Sequence, residues 1–345
     1  MKSQQTFSDI EYSSRKRVSR REIFLQKMDA LIPWAELEAV IQPYYFKGKR
    51  GRPPRGIEMM LRMYLLQNWY NLSDGMAEEE IYDSHAMKTF VKIDFQEEDV
   101  PDATTLLNFR HLLEANELQK KIFETINELL EREGMIWRGG SIVDAVIVEA
   151  PSSTKNTAKS RDPEMKQAKK GNEWHFGMKA HIGADAGTGM VHTLTFTVAN
   201  THDIEEAHKL VREDDEFVNG DAGYVGIEKR QEIQKDEHLN QVQWRINRRK
   251  GKERAREQKL YKEVMNHFEY ASQPRWDELL EYLKSKVRSK IEHNFYIIKH
   301  LFGYRKTRYR GIKKNGARLY MLFALANLLR CSWRCKSLST LAAAA

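Results

Sequence analysis

Three carboxylates stand where a negative charge is either costly or useful. Asp144 lies inside the apolar run Ser141-Ile142-Val143-Asp144-Ala145-Val146-Ile147-Val148, Asp221 ends Phe217-Val218-Asn219-Gly220-Asp221, and Glu292 sits beside Arg288 in a long helical segment. An ionised carboxylate in a buried strand needs an offsetting charge. A divalent cation shared with other carboxylates supplies one, and hard oxygen donors are what Mg²⁺ prefers. Two such ions can activate a water or a 3′-hydroxyl and stabilise the leaving oxygen in phosphoryl transfer. Taken singly, each residue has a plainer reading. Asp144 can be a hydrogen-bonded strand residue, Asp221 a turn residue after glycine, and Arg288–Glu292 a solvated i,i+4 pair. Their conjunction in one topology carries the chemistry.

The elements that must position them follow from periodicity. From about residue 22 to 133 the pattern is helical: Ile57, Met60, Leu61, Tyr64, Leu65 and Asn68 recur at helical spacing, and Asp102 caps a helix carrying Leu106, Phe109 and Leu113. After Gly139-Gly140 the period changes to two. Residues 141–148, 175–182 and 190–198 read as strands, the last two joined by a hairpin loop over 183–189. Asp203 is expected to cap a short helix through Leu210. Then come a strand at 216–220, a helix at about 225–235, a strand at 241–246, and helices at 275–301 and 314–330. The long helix carries the stripe Trp276, Leu280, Leu283, Val287, Ile291, Phe295, Ile298 and Phe302. Glu292 lies at its edge, with Arg288 at i−4 and Lys299 at i+7 on nearly the same side. The order strand, strand, strand, helix, strand, helix, strand, helix predicts an α/β ribonuclease-H-like domain preceded by an all-α N-terminal domain. The boundaries read as a basic arm over 1–21, a helical domain for DNA binding or dimerisation over 22–138, a catalytic domain over 139–335 and a tail over 336–345.

Composition narrows the partners. The 345 residues carry a net charge of +8, which favours an anionic partner. Seven of the twelve residues from Arg245 to Arg256 are Lys or Arg, among them Arg248, Arg249 and Lys250. A second basic run from Arg305 to Arg318 is interleaved with Tyr309 and follows Tyr304. Both flank the long helix and can track phosphates, as against a solvated charged loop. Lys49-Arg50-Gly51-Arg52-Pro53-Pro54-Arg55 is either a minor-groove element or a helix-entry loop with phosphate contacts. Trp244 is read as core rather than a base-stacking residue, and His192 as a core histidine. His175 and His181 face the opposite side with Lys179, where an approach to DNA is open. Two cysteines, Cys331 and Cys335, give no disulfide framework. With no apolar leader and no apolar stretch of membrane-spanning length, the expected location is cytoplasmic, associated with the nucleoid.

The motifs together resemble the bacterial DDE insertion-sequence transposases, specifically the InsH-like group, over nearly the whole chain. They are Gly51-Arg52-Pro53-Pro54, Val100-Pro101-Asp102-Ala103-Thr104-Thr105-Leu106 with Phe109-Arg110-His111, Val143-Asp144 leading to Glu149-Ala150-Pro151-Ser152-Ser153, Trp174 to Gly183, Gly220-Asp221-Ala222-Gly223-Tyr224, and Arg288-Ser289-Lys290-Ile291-Glu292-His293. The resemblance implies that Asp144, Asp221 and Glu292 are the catalytic, metal-binding triad. It implies two Mg²⁺ ions, for which Mn²⁺ substitutes, and cleavage at terminal inverted repeats followed by joining to target DNA. The partners would be double-stranded DNA and a second copy of the chain, in a homodimer or larger synaptic complex, with no membrane. Arg288, Lys299, Arg245, Arg248, Arg249, Lys250, Arg50 and Arg52 are the expected DNA contacts. The family signature places Tyr before Arg288, Glu292 and Lys299, and here that position is Ser285. Two other readings stand beside this one: a metal-dependent nuclease that cuts without joining, and a non-catalytic protein that occupies transposon ends.

Overall fold

The computed structural model describes residues 14–45, 53–157, 159–248 and 276–334. The chain divides into two compact units. One comprises residues 1–129, 300–304 and 317–345, the other 130–299 and 305–316.

The first unit is helical, with α1 (Arg20–Leu31), α2 (Trp34–Ile41), α3 (Ile57–Trp69), α4 (Asp74–Asp83), α5 (His85–Val91), α6 (Ala103–Ala115) and α7, which runs from Leu118 to Arg132. Ser19, Ser73, Ser84 and Asp102 each accept an N–H from the first turn of α1, α4, α5 and α6, satisfying donors that the helix leaves open. Helix α3 is buried on nearly every side, as a central helix must be. Its Arg62 is fully buried and fully engaged: it donates to Asp29 at 2.6 Å, Glu58 at 2.7 Å and the Phe90 carbonyl at 2.8 Å, and lies 3.8 Å over the Trp34 ring. Residues from Ala317 onward also belong to this unit, although the sequence assigns them to the catalytic domain. There Asn327 donates to Asn127 at 2.8 Å, and the Tyr320 and Phe123 rings lie 5.7 Å apart.

The second unit is built on a six-stranded mixed sheet, with β1 (Gly140–Glu149), β2 (Lys166–Lys170), β3 (Glu173–Asp185), β4 (Val191–Val198), β5 (Phe217–Gly220) and β6 (Gln243–Ile246). The order is β2-β3-β1-β5-β6, with β4 also on β3. Strands β2, β1 and β4 pair antiparallel to β3, while β1, β5 and β6 run parallel. Alternation along β1 sends Val143 to one face, where it packs with Leu210, Val218, Tyr224, Ile233, Val242 and Trp244 around the short helices α8 (Asp203–Glu206) and α9 (Gln231–Gln234). Asp144 points to the other face, toward helix α10 (Trp276–Tyr296). Helix α11 (Ile312–Arg334) begins in this unit.

Four local expectations change. Strand β2 was not read from the sequence, because Lys166-Gln167-Ala168-Lys169-Lys170 has no apolar alternation and is made a strand by pairing with β3. The helix at 225–235 reduces to 3₁₀ turns and Gln231–Gln234, since Gly226 takes φ +91°. Asp203 is the first residue of α8 rather than its cap, which is His202, because its carboxylate turns instead to Lys179. The long helix passes at Ile297–Leu301 into a π-turn. Its stripe is buried at Ile291 and Ile298, yet Leu280 and Leu283 are exposed.

Candidate active site

The register of β1 on β5 pairs Ile142 with Asn219. Extended past the end of β5, this register brings Asp221 to the level of Asp144, whose charge it influences. Strand β5 ends at Gly220, so Asp221 leaves the sheet where the Asp144 side chain rises from it. A side chain at position 220 would meet the Ile246 side chain at 2.9 Å and the Tyr224 ring at 3.1 Å, so glycine leaves room for this close approach. Asp221 then caps the 3₁₀ turn Ala222–Tyr224 by accepting the Gly223 N–H at 2.7 Å.

Asp144 is mostly enclosed, with 17% of its side chain exposed. Burial pushes its carboxyl up to about 7, and the nearby Asp221 and Asp203 charges add to that shift. The Ala145 N–H, donating at 2.8 Å, and the Arg288 guanidinium oppose it. Arg288 reaches both carboxylates from α10, at 4.0 Å from Asp144 and 3.1 Å from Glu292. Glu292 lies one turn along the same helix and is half exposed. Polar ties fix the helix over the sheet. Lys290 donates to the Ala186 and Gly187 carbonyls, and the buried Asn294 donates to the Gly189 carbonyl at 2.8 Å. Ser285, at the family's tyrosine position, accepts from Asn247 at 3.2 Å, joining the end of β6 to α10.

Among the described residues, no three His, Cys, Asp or Glu side chains form a preformed metal cage. The donor chemistry nevertheless fits a divalent cation. Two hard carboxylates, Asp144 from within β1 and Asp221 from the end of β5, influence each other, and burial disfavours the charge on Asp144. Glu292, on α10, is linked to Asp144 through Arg288.

Two residues near the carboxylates escaped the sequence reading. Asp203 forms a 2.8 Å ion pair with Lys179 and contributes to the Asp144 shift. Tyr224 is buried, its hydroxyl has no hydrogen-bond partner among the described residues, and burial, followed by the charges of Asp144, Asp203 and Asp221, holds its phenol well above its ordinary range. The Gly-Asp-Ala-Gly-Tyr motif was the available signal for Tyr224. Nothing local marks Asp203.

The expected cationic contacts divide. Arg288 lies at the carboxylates. Lys299 does not share that position: its Nζ donates to the Ile147 carbonyl at 3.0 Å, and burial, with Lys170 nearby, lowers its proton affinity. Arg245 stacks 3.9 Å over Phe217 and donates to Gln243, and the Arg248 backbone N–H donates to Glu281 at 3.0 Å. Arg50, Arg52, Arg249 and Lys250 lie outside the described residues. His181 is buried against Thr197, and His175 meets Glu149 at 2.9 Å, so the approach to DNA left open for His181 is closed. His192 is a core residue bonded to Ser141, and Trp244 is core as well. No described helix is long and apolar enough to cross a membrane.

Comparison with known proteins agrees with this geometry. The transposase DDE domain matches residues 138–328, and a second transposase domain, DUF772, matches residues 12–112. No solved structure matches the chain. The DDE match spans more than half of the sequence and includes all three carboxylates, so the chain belongs to the DDE transposases, a family of metal-dependent DNA-transposing enzymes.

Proposed function

We propose that this transposase cuts DNA at the terminal inverted repeats of its own insertion sequence and joins the ends to target DNA, with Asp144, Asp221 and Glu292 as the metal-binding triad. The observation that supports the proposal is the mutual influence of Asp144 and Asp221 at a position where burial disfavours the charge on Asp144. A ribonuclease-H-like ancestry is supported by the antiparallel start β1–β3–β4 followed by parallel β5 and β6. The motif set supports the InsH-like group.

Mg²⁺, bound here, would supply activation of the attacking hydroxyl and stabilisation of the leaving oxygen. Asp144 and Asp221 would hold it from the sheet and Glu292 from α10. A ligating carboxylate must be ionised, so binding displaces the proton that Asp144 keeps near neutrality. Arg288 keeps Glu292 turned toward the sheet and offers its remaining donors to a DNA phosphate. Lys290 and Asn294 tie α10 to the turn between β3 and β4. Burial of Asp144 keeps bulk water from competing for the site.

The test uses a supercoiled plasmid carrying the element's inverted repeats and a second, target plasmid, with Mg²⁺. Wild-type protein yields cut ends and joined products, while Asp221→Asn binds the ends and yields neither. Full cleavage by Asp221→Asn overturns the triad assignment. Cut ends without joined product would favour the nuclease reading, and binding without any cut the end-occupying protein.

A further inference from the structure

The β2–β3 hairpin belongs to no part of the site described above. Strand β2 ends the sheet order, and three of its five residues, Lys166, Lys169 and Lys170, are exposed lysines. None of the three forms an ion pair among the described residues. Lysines on an edge strand also deter edge-to-edge association, so they decide nothing by themselves. The aromatic residues opposite them do. The register pairs Lys169 with Trp174 and Gln167 with Phe176 on one face of the hairpin, while alternation turns Lys166 and Lys170 to the other face of this edge ribbon. Trp174 is 67% exposed, and the Arg161 guanidinium lies 5.5 Å from the Phe176 ring centre. Protecting an edge does not call for an exposed tryptophan.

The Trp174 face lies on the same side of the sheet as Asp144, with Met178, Ala180 and Ile182 buried between them. Asp144 pairs with Ile182, so alternation along β3 through Ala180, Met178 and Phe176 brings Trp174 to the same side as Asp144. Eight residues separate Ile182 from Trp174, about 26 Å of strand, which is about eight base-pair steps along a duplex. The nearby acids are turned elsewhere. Asp162 and Glu164 accept the Gly311 and Ile312 N–H groups at 2.7 Å, and Glu149 holds His175. At the hairpin's end Glu173 lies opposite Lys170, so the excess positive charge rests on Arg161, Lys166 and Lys169, and Lys170 is close enough to disfavour the charge on Lys299.

We propose that the β2–β3 hairpin is a DNA-binding surface, in which Arg161, Lys166, Lys169 and Lys170 hold backbone phosphates and Trp174 stacks on an unpaired base at a DNA end. This rests on the reading of the chain as a transposase acting on DNA ends. Phosphate contacts of this kind are sequence-independent, and stacking on an exposed ring tolerates any base.

Full-length protein is titrated against labelled random duplexes, one blunt and one with a single-stranded tail, in EDTA over a range of salt. The Lys166→Ala/Lys169→Ala/Lys170→Ala variant is expected to bind both more weakly, with a salt slope shallower by about 0.9 per lost contact, about 2.7 in all. Replacing the same three lysines by arginine should preserve the slope. Trp174→Ala is expected to lose on the order of tenfold in affinity for the tailed duplex and to leave the blunt one unchanged. An unchanged slope in the lysine variant, equal binding of the tailed duplex by Trp174→Ala, or a wild-type protein that binds neither duplex overturns the inference. The two readings fail separately. A wild-type protein that leaves inverted-repeat plasmid uncut, yet binds these duplexes through the hairpin, defeats the transposition chemistry alone. A protein that cuts and joins while ignoring the hairpin defeats only the surface.

Discussion

Replacing Asp144 by asparagine should make the metal-free protein more stable at neutral and mildly alkaline pH. The folded carboxyl titrates at about 7, against an ordinary value of 3.8. Because the folded value is raised, the unfolded chain gives up this proton first as pH rises. Folded stability therefore falls between the two values and carries the full cost above about 7. Three units correspond to about 4 kcal/mol as an upper bound, at about 1.36 kcal/mol per unit. Asparagine is nearly isosteric, can still accept the Ala145 N–H, and carries no charge to desolvate. In EDTA at about pH 8, Asp144→Asn should raise the urea midpoint and slow hydrogen exchange at β1 and β3 amides by up to the corresponding free energy. The difference should shrink toward about pH 4 and vanish below about pH 3, where the wild-type carboxyl is protonated in both states. Added Mg²⁺ should stabilise the wild type and leave the variant unchanged. A variant equal to or weaker than wild type in EDTA at the higher pH would refute the claim that the site holds an uncompensated carboxylate.

Two further outcomes separate binding from folding. Arg288→Ala should weaken binding to transposon-end DNA and make the salt slope shallower by about 0.9, whereas Lys299→Ala should lower the unfolding midpoint with little change in slope, because its ammonium caps the Ile147 carbonyl; equal slopes for wild type and Arg288→Ala would remove that arginine from the DNA path. Burial lowers His181 to about 4, so its contribution to stability is present above its unfolded value near 6.5 and is lost as pH falls toward about 4. Asp144 titrates with the opposite sign in the same window, so the effect is measured in the Asp144→Asn background. There the unfolding free energy should fall on acidification, with His192 contributing in the same direction, and adding His181→Gln should make the fall shallower by up to about 1.4 kcal/mol per pH unit; identical slopes with and without that change would refute it.

Local patterning was enough for the change from helical to two-residue periodicity at Gly139-Gly140, the cap at Asp102, the strand carrying Asp144, the strand that ends just before Asp221, and the helix carrying Glu292. These are local matters: side-chain spacing within one element and turn chemistry at its ends are fixed by neighbours along the chain. Tertiary structure decided whatever depends on a partner distant in sequence. Strand β2 exists only because β3 supplies hydrogen bonds to a lysine-rich segment that has no apolar pattern of its own. Arg288 belongs to the carboxylates and Lys299 to a strand carbonyl, although both stand at helical offsets from Glu292, because the π-turn and the approach of α10 to β1 set where each cation ends. Asp203 was legible as a helix-start residue, but its influence on Asp144 arises from sheet packing. A charge's energy depends on the dielectric and on the charges around it, and those are assembled only when the chain folds.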